Sequence, residues 1–131
     1  MSISPNDVCG YFSPLKDESV KLAQGDLIKI DLGVQIDGFP VLLAHTIVVG
    51  GTEDQNKLKA ATAAYKAIEL CVKSLKPGQL NHKLTETFKN VAEHYKTQPL
   101  DGVLSHALRR FLIDSNDVIV LKDSPEQRVP D

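Results

Sequence analysis

The feature that most constrains the fold of this chain is a hairpin pattern between residues 27 and 49. Apolar side chains alternate with polar or small ones over Ile28–Ile36, and a period of two is typical of a half-buried strand. Asp37-Gly38 follows and favours a type I′ turn, which requires positive φ at both central residues. Phe39–Val49 is almost wholly apolar. We therefore expect a return strand that is buried on both faces, with Pro40 confined to its turn-side end.

Two helices are predicted after the hairpin. Thr52-Glu53-Asp54 can cap the first, and Lys76-Pro77-Gly78 ends it. Its apolar residues recur at spacings of three and four and form one stripe: Leu58, Ala61, Tyr65, Ile68, Val72 and Leu75. Asn81 is expected to cap the second helix, which ends before Pro99. Its apolar face comprises Leu84, Phe88, Val91 and Tyr95.

The rest of the chain is less regular. Residues 2–22 predict an irregular segment with at most a short strand, and residues 102–106 and 118–121 predict two short strands. This order favours an α+β domain, 1–131, in which two helices cover one face of a mainly antiparallel sheet. Cys9 and Cys71 have no metal-ligand spacing and are expected to be reduced thiols. No apolar run reaches the ~18 residues of a membrane span, and no secretory signal is visible.

Three segments resemble one protein family. They are IKIDLGVQIDGF at 28–39, FSPLK at 12–16 and GVLSHALRRFLID at 102–114. Together they resemble the proliferation-associated, receptor-binding proteins, which are non-peptidase relatives of methionine aminopeptidase with the pita-bread (creatinase/aminopeptidase) fold. The match runs from Ser2 to Pro125. The resemblance implies that the chain corresponds to the first half of that fold, about a third of a family member.

The resemblance also implies a metal site that has lost ligands. The enzymes of this fold hold two divalent cations with two Asp, one His and two Glu. Asp31 stands at the first Asp, His106 at the metal-ligand His and Leu42 at the second Asp, while the two Glu would lie outside this chain. Tyr11 replaces a His near the scissile peptide, and a further catalytic His after His106 is not found. Because an isobutyl group donates no lone pair to a metal, we expect no metal, no cofactor and no catalytic residue.

The function implied is that of a non-catalytic regulator linked to growth, ribosomes and RNA, with protein partners, in nucleus and cytoplasm. Two alternatives remain open. One is a nucleic-acid-binding module, because residues 51–98 carry more Lys than Asp and Glu and Arg109-Arg110 could contact phosphate or form an ordinary solvated pair. The other is a residual aminopeptidase completed by another chain. One half of the fold alone would expose strand edges and an apolar sheet face, Leu42 included, so we expect self-association or a covering partner.

Overall fold

The computed structural model describes residues 1–10, 12–13 and 20–123. In chain order its elements are β1 (Ser2–Pro5), β2 (Leu27–Ile36), β3 (Phe39–Val48), α1 (Gln55–Ser74), α2 (His82–Tyr95), β4 (Leu104–His106) and β5 (Val118–Val120). The described residues form two compact units. Unit 1 contains Met1–Leu58 and Arg109–Leu112, and unit 2 contains Lys59–Leu108 and residues 113–123. The α+β class is confirmed, and the single domain over 1–131 stays a prediction.

The hairpin of unit 1 forms as the sequence predicts. β2 and β3 pair antiparallel from Leu27↔Val48 to Ile36↔Phe39. Asp37 has φ 51° and Gly38 φ 83°, as a type I′ turn requires. β1 pairs with the other edge of β2, so the strand order is β1-β2-β3. Within the described ranges β3 is therefore an edge strand.

The expectation that β3 is buried on both faces is wrong. Seven of its ten residues are exposed, His45 among them. The reason is that β2 is the element in extensive contact with β3 among the described residues, so no helix or second sheet is layered on either face of the strand. A continuous apolar run shows that both faces could be covered, but it does not supply the neighbours that would cover them.

The core of unit 2 lies between the two helices and β5. Cys71, Leu84 and Phe88 form a buried cluster, and Ala67, Ile119 and Leu121 pack against it. The apolar face predicted for α2 is confirmed, because Leu84, Phe88 and Val91 are buried. A buried hydroxyl also ties α2 to β5, since Thr85 Oγ1 donates to the carbonyl of Val120 at 2.8 Å.

The helix ends follow the sequence signals with one exception. Asp54 caps α1, because its carboxylate accepts the backbone N–H of Asn56 at 2.9 Å. α2 ends where Lys96 adopts the left-handed conformation, with φ 56°. The cap predicted at Asn81 is wrong: this residue has helical dihedral angles and its side chain makes no capping bond. Its amide instead donates to the carbonyl of Val118 at 2.5 Å.

The apolar stripe predicted on α1 differs from the face that the helix buries. Only Ala63 and Cys71 are buried on α1, whereas the larger side chains of the stripe are exposed, with Val72 at 68%. The α1 residues that pack against Leu84 and Phe88 of α2 are Cys71 and Ala67. No helix in the described part of the chain is long and apolar enough to span a membrane.

Candidate functional site

Asp31 lies in the middle of β2. It is paired with Ser2 of β1 on one side and with Ala44 of β3 on the other, and it is half-buried. Side chains of directly paired residues lie on the same face of a sheet, and so do those two positions apart along a strand. Ser2, Gly33 and Ala44 therefore share the face that carries the Asp31 carboxylate.

Leu42 lies on this same face. It pairs with Gly33, two residues along β3 from Ala44. One methyl carbon of Leu42 lies 2.8 Å from the point that a Cβ on Gly33 would occupy. Leu42 therefore covers the space left by the missing Gly33 side chain. This placement corrects the expectation that Leu42 belongs to the large apolar face, because that face is the opposite one and carries Leu32, Val34, Ile36, Phe39, Val41 and Leu43.

His106 ends β4 in unit 2 and pairs with Val118 of β5. Its Nδ1 atom is buried and has no hydrogen-bond partner among the residues that the structure describes. Buried side-chain nitrogens normally have a hydrogen-bond partner, so the Nδ1 atom is available for a hydrogen bond or a ligand. Asp31 belongs to unit 1 and His106 to unit 2, and Tyr11 lies outside the described residues.

The residues around Asp31 do not fit the dinuclear metal centre of the enzymes. Hard divalent cations need several oxygen ligands, usually shared carboxylates. On the face of Asp31 the neighbouring side chains are the hydroxyls of Ser2 and Thr46, the amine of Lys29 and the aliphatic groups of Ala44 and Leu42, and none of them is a carboxylate. Over residues 1–10, 12–13 and 20–123, no three His, Cys, Asp or Glu side chains are grouped so that they could share a metal ion.

Arg110 lies against the tip of the hairpin. Its Nε donates to the carbonyl of Asp37 at 3.0 Å, and its guanidinium lies 5.2 Å from the ring centroid of Phe39 and 4.9 Å from that of Phe111. The backbone N–H of Phe111 donates to the carbonyl of Gly38 at 2.6 Å. Arg110 is therefore part of the structure of the hairpin tip. The sequence analysis considered only a phosphate contact or an ordinary solvated pair for Arg109-Arg110, and neither interpretation includes this role.

A second turn carries these side chains to the hairpin. Arg109 and Leu112 exchange backbone hydrogen bonds of 2.9 Å, and Phe111 between them has a left-handed φ of 62°. The Phe111 ring fills the position of a Gly38 side chain, 2.3 Å from the point that its Cβ would take. Sequence reasoning missed this contact because it joins segments that are far apart in the chain, and the only local signal was the glycine.

Helix α1 carries a net positive charge, and residues of α1 and α2 together line a groove. α1 contains four lysines and one glutamate. The amines of Lys66 and Lys73 bind Glu69 at 2.8 and 2.7 Å, and their hydrogen bonds lower the pKa of this carboxyl to about 2. An open groove of about 430 Å³ is lined by residues of both helices: Lys66, Leu70, Thr87, Asn90, Val91, His94 and Tyr95. None of the site residues predicted from the sequence lines it.

Comparison with known proteins identifies the family to which this sequence is related. The sequence model of the family described as "Metallopeptidase family M24" matches residues 1–121. Proliferation-associated protein A of Dictyostelium discoideum is 37% identical, over 97% of this chain and 34% of its own length. ERBB-3 binding protein 1 of Arabidopsis thaliana is 39% identical, over 97% of this chain and 33% of its own length. The curved DNA-binding protein of Schizosaccharomyces pombe is 38% identical, over 97% of this chain and 34% of its own length.

A solved structure shows the same fold. Methionine aminopeptidase from Thermotoga maritima superimposes with a TM-score of 0.75 and 23% identity, over 97% of this chain and 49% of that one. The chain spans about a third of the length of the curated relatives reported above. With a family match over nearly its whole length and the pita-bread fold of methionine aminopeptidase, this chain belongs to metallopeptidase family M24.

Proposed function

We propose that this chain is a non-catalytic, partner-binding member of the M24 family. The observation that carries the proposal is the side chain of Leu42, which lies on the same face as Asp31 with a methyl group against Gly33. A peptidase of this fold needs a carboxylate at that point to bridge two cations. An aliphatic group in its place removes a ligand and also makes the face less polar.

We propose that the partners of this chain are proteins. More specifically, we propose a contact with ribosomes or RNA in the cytoplasm and nucleus. Two relatives are named ERBB-3 binding protein 1, and that name describes protein binding by those relatives. The ribosome, RNA and localisation proposals rest on the family resemblance. Ribosome co-sedimentation, together with imaging of a fluorescent fusion of the full-length protein, tests them. Absence from ribosomal fractions at low salt would remove the ribosome proposal.

Metal binding and peptidase activity provide the direct test. The chain is titrated with Mn²⁺ or Co²⁺ in a calorimeter and incubated with the peptide Met-Ala-Ser. We expect no binding heat at millimolar metal and no released methionine. The matched variant is Leu42→Asp, which returns a carboxylate to the face of Asp31. We expect it to bind a single cation weakly, because two carboxylates still form an incomplete site.

An Asp31→Asn variant separates real activity from contamination. Methionine release by the unmodified chain that disappears in Asp31→Asn would refute the proposal and would support a peptidase completed by another chain. Release that is equal in both proteins would identify a contaminating enzyme, because Asp31 is the only carboxylate on its face of the described sheet.

Nucleic-acid binding is the second candidate, and the charge of α1 favours it. Lys59 is exposed, whereas Lys66 is paired with Glu69. If α1 contacts phosphate, Lys59→Gln should reduce the salt dependence of filter binding by about one counterion. Lys66→Gln is the control and should change the salt dependence less, because the Lys66 amine is already paired with Glu69. Binding without a salt slope would exclude phosphate contacts as its source.

A further inference from the structure

The turn at residues 109–112 packs with a part of the chain that is far from it in sequence. These four residues belong to unit 1, whereas Leu108 before them and Ile113 after them belong to unit 2. The turn is therefore held in unit 1 by noncovalent contacts. We call it the flap, because it can leave the hairpin without breaking the strand pairing of β2 with β3 or of β4 with β5.

Phe111 has an unfavourable backbone conformation in the flap. The N–H of Leu112 donates to the carbonyl of Arg109 at 2.9 Å and closes the four-residue turn. Within this turn Phe111, the third residue, alone has a positive φ, of 62°. A type II turn has this pattern and normally carries Gly or Asn at the third position, because a bulky side chain is strained in the left-handed region. The contacts with the hairpin have to compensate for this strain.

The contacts that hold the flap lie at the surface. The N–H of Phe111 donates to the carbonyl of Gly38, and Nε of Arg110 donates to the carbonyl of Asp37. The guanidinium also contacts the rings of Phe39 and Phe111. Phe111 remains 72% exposed, so docking covers little of its side chain. Exposed hydrogen bonds and a small buried apolar area are typical of segments that open locally.

We propose that the flap is a conformational device with a docked and a released state, and that it opens while the hairpin and the β4–β5 pair stay folded. In the docked state its N–H groups occupy the carbonyls of Asp37 and Gly38. Release lets Phe111 return to an ordinary backbone conformation and frees both carbonyls. A group that hydrogen-bonds to these carbonyls has to displace the flap, so the released fraction limits its affinity. We expect a released fraction of about 0.1–10%, the usual range of a minor state.

Two variants separate the contacts of Arg110 from the charge of Asp37. Asp37 binds Arg110 through its backbone carbonyl, and its carboxylate lies on the same exposed turn. Attraction between exposed charges contributes little, whereas removal of the guanidinium eliminates a hydrogen bond and two ring contacts together. Arg110→Gln therefore weakens docking. Asp37→Asn is the matched control, because it keeps the carbonyl and suits the type I′ turn.

Residue-specific amide hydrogen exchange of the unmodified chain tests the released state, with the Phe111 N–H as the probe. Val41 is the reference for the hairpin, because its N–H faces β2 like that of Val49, an even number of residues further along the chain. Leu121, whose N–H donates to the carbonyl of Val103, is the reference for the β4–β5 pair. We expect Phe111 to exchange about 10–1000-fold more slowly than an unstructured amide and at least ~10-fold faster than both references.

The variants test what holds the flap. Arg110→Gln should accelerate exchange of the Phe111 amide by about 5–10-fold, because the side-chain hydrogen bond and the ring contacts are lost together. The Val41 and Leu121 amides should stay within about twofold of their original rates, since neither reference lies in the flap. Asp37→Asn should change the Phe111 rate by less than ~2-fold.

The same measurement can overturn the proposal. A Phe111 amide as slow as both references would show that the flap opens only by unfolding, and an unprotected amide would show that it is not docked. Equal acceleration of all three amides in Arg110→Gln, or an Asp37→Asn effect as large as that of Arg110→Gln, would exclude the proposed contacts. No metal or partner is present in the experiment, so its result is independent of the proposed function.

Discussion

The hairpin of unit 1 and helix α2 of unit 2 carry equally regular apolar faces, but only the face of α2 is buried. Phe88 on α2 is 5% exposed and Phe39 on β3 is 58% exposed. Both side chains are where their local periodicity places them. The difference lies in the neighbours: α2 packs against α1 and β5, whereas β3 has one strand neighbour among the described residues. Periodicity thus identifies a face, and long-range packing decides whether the face is covered.

The sharpest test of this comparison makes the same substitution at both sites. Phe88→Ala should lower the free energy of unfolding by about 3–5 kcal/mol, because it leaves a cavity in the cluster with Cys71 and Leu84. Phe39→Ala should cost only ~0.5–1 kcal/mol, the contribution of its exposed contact with Arg110. Urea denaturation measures both. Equal losses would mean that β3 is as well covered in solution as α2.

The second test concerns the packing of the Phe111 ring on the hairpin turn of unit 1. Gly38→Ala should cost about 2–4 kcal/mol, because the new Cβ meets the Phe111 ring and φ is +83°. Gly51→Ala is the control, since its φ is +82° but nothing lies within 4 Å. It should cost only ~1–2 kcal/mol, the strain of the left-handed backbone. If the two variants lose the same stability, the Phe111 ring does not pack on the turn.

A third test examines the polar contact between α2 and β5. Thr85→Val removes the buried hydroxyl that donates to Val120 and leaves that carbonyl unpaired, which should cost about 1–2 kcal/mol. Thr87→Val removes a hydroxyl that donates to the carbonyl of Lys83 within the helix. That carbonyl keeps its helical bond, so the control should change stability by less than ~0.5 kcal/mol. The reverse order of losses would contradict the packing of α2 on β5.

The smallest expected effect concerns the exposed face of α1. The folded-state pKa of Glu69, about 2, lies below the ordinary value of 4.5 because of its hydrogen bonds to Lys66 and Lys73. Its ion pairs therefore stabilise the chain above pH ~4.5, and this contribution disappears as the pH falls through 2. Glu69→Gln should therefore lower the thermal midpoint slightly at pH 7 and not at pH 2. Glu86→Gln, on α2, is the control. Since exposed pairs are weak, a large loss at pH 7 would show that Glu69 is buried in solution.

Much of the local structure was predictable from the sequence. The Asp37-Gly38 turn set the hairpin register, and that register places Leu42 and Asp31 on one face. The cap at Asp54 was also correct, because a carboxylate before a helix acts over a single turn. The cap at Asn81 failed since its amide found an acceptor at Val118. A competing partner so far along the chain leaves no signal in the local pattern.

The candidate site also has a part that the sequence predicts and a part that it does not. The placement of Asp31, Leu42 and His106 on strands follows from patterns that span a few residues. The position of Arg110 on the hairpin tip does not, because it depends on a turn that brings residues 109–112 back to unit 1. The exposure of the α1 stripe was missed for a related reason. Spacing groups the side chains, but it does not tell which side of the helix another element covers, and the cluster with α2 contains Ala67 and Cys71 instead.

The two thiols give the chain a built-in chemical probe of its dynamics. Cys9 is exposed and Cys71 is buried, and burial also raises the pKa of the Cys71 thiol. An alkylating reagent added at neutral pH will therefore modify Cys9 within its ordinary reaction time, while Cys71 reacts only when the cluster around Phe88 opens. The delay between the two mass additions measures how often unit 2 opens, without any introduced label.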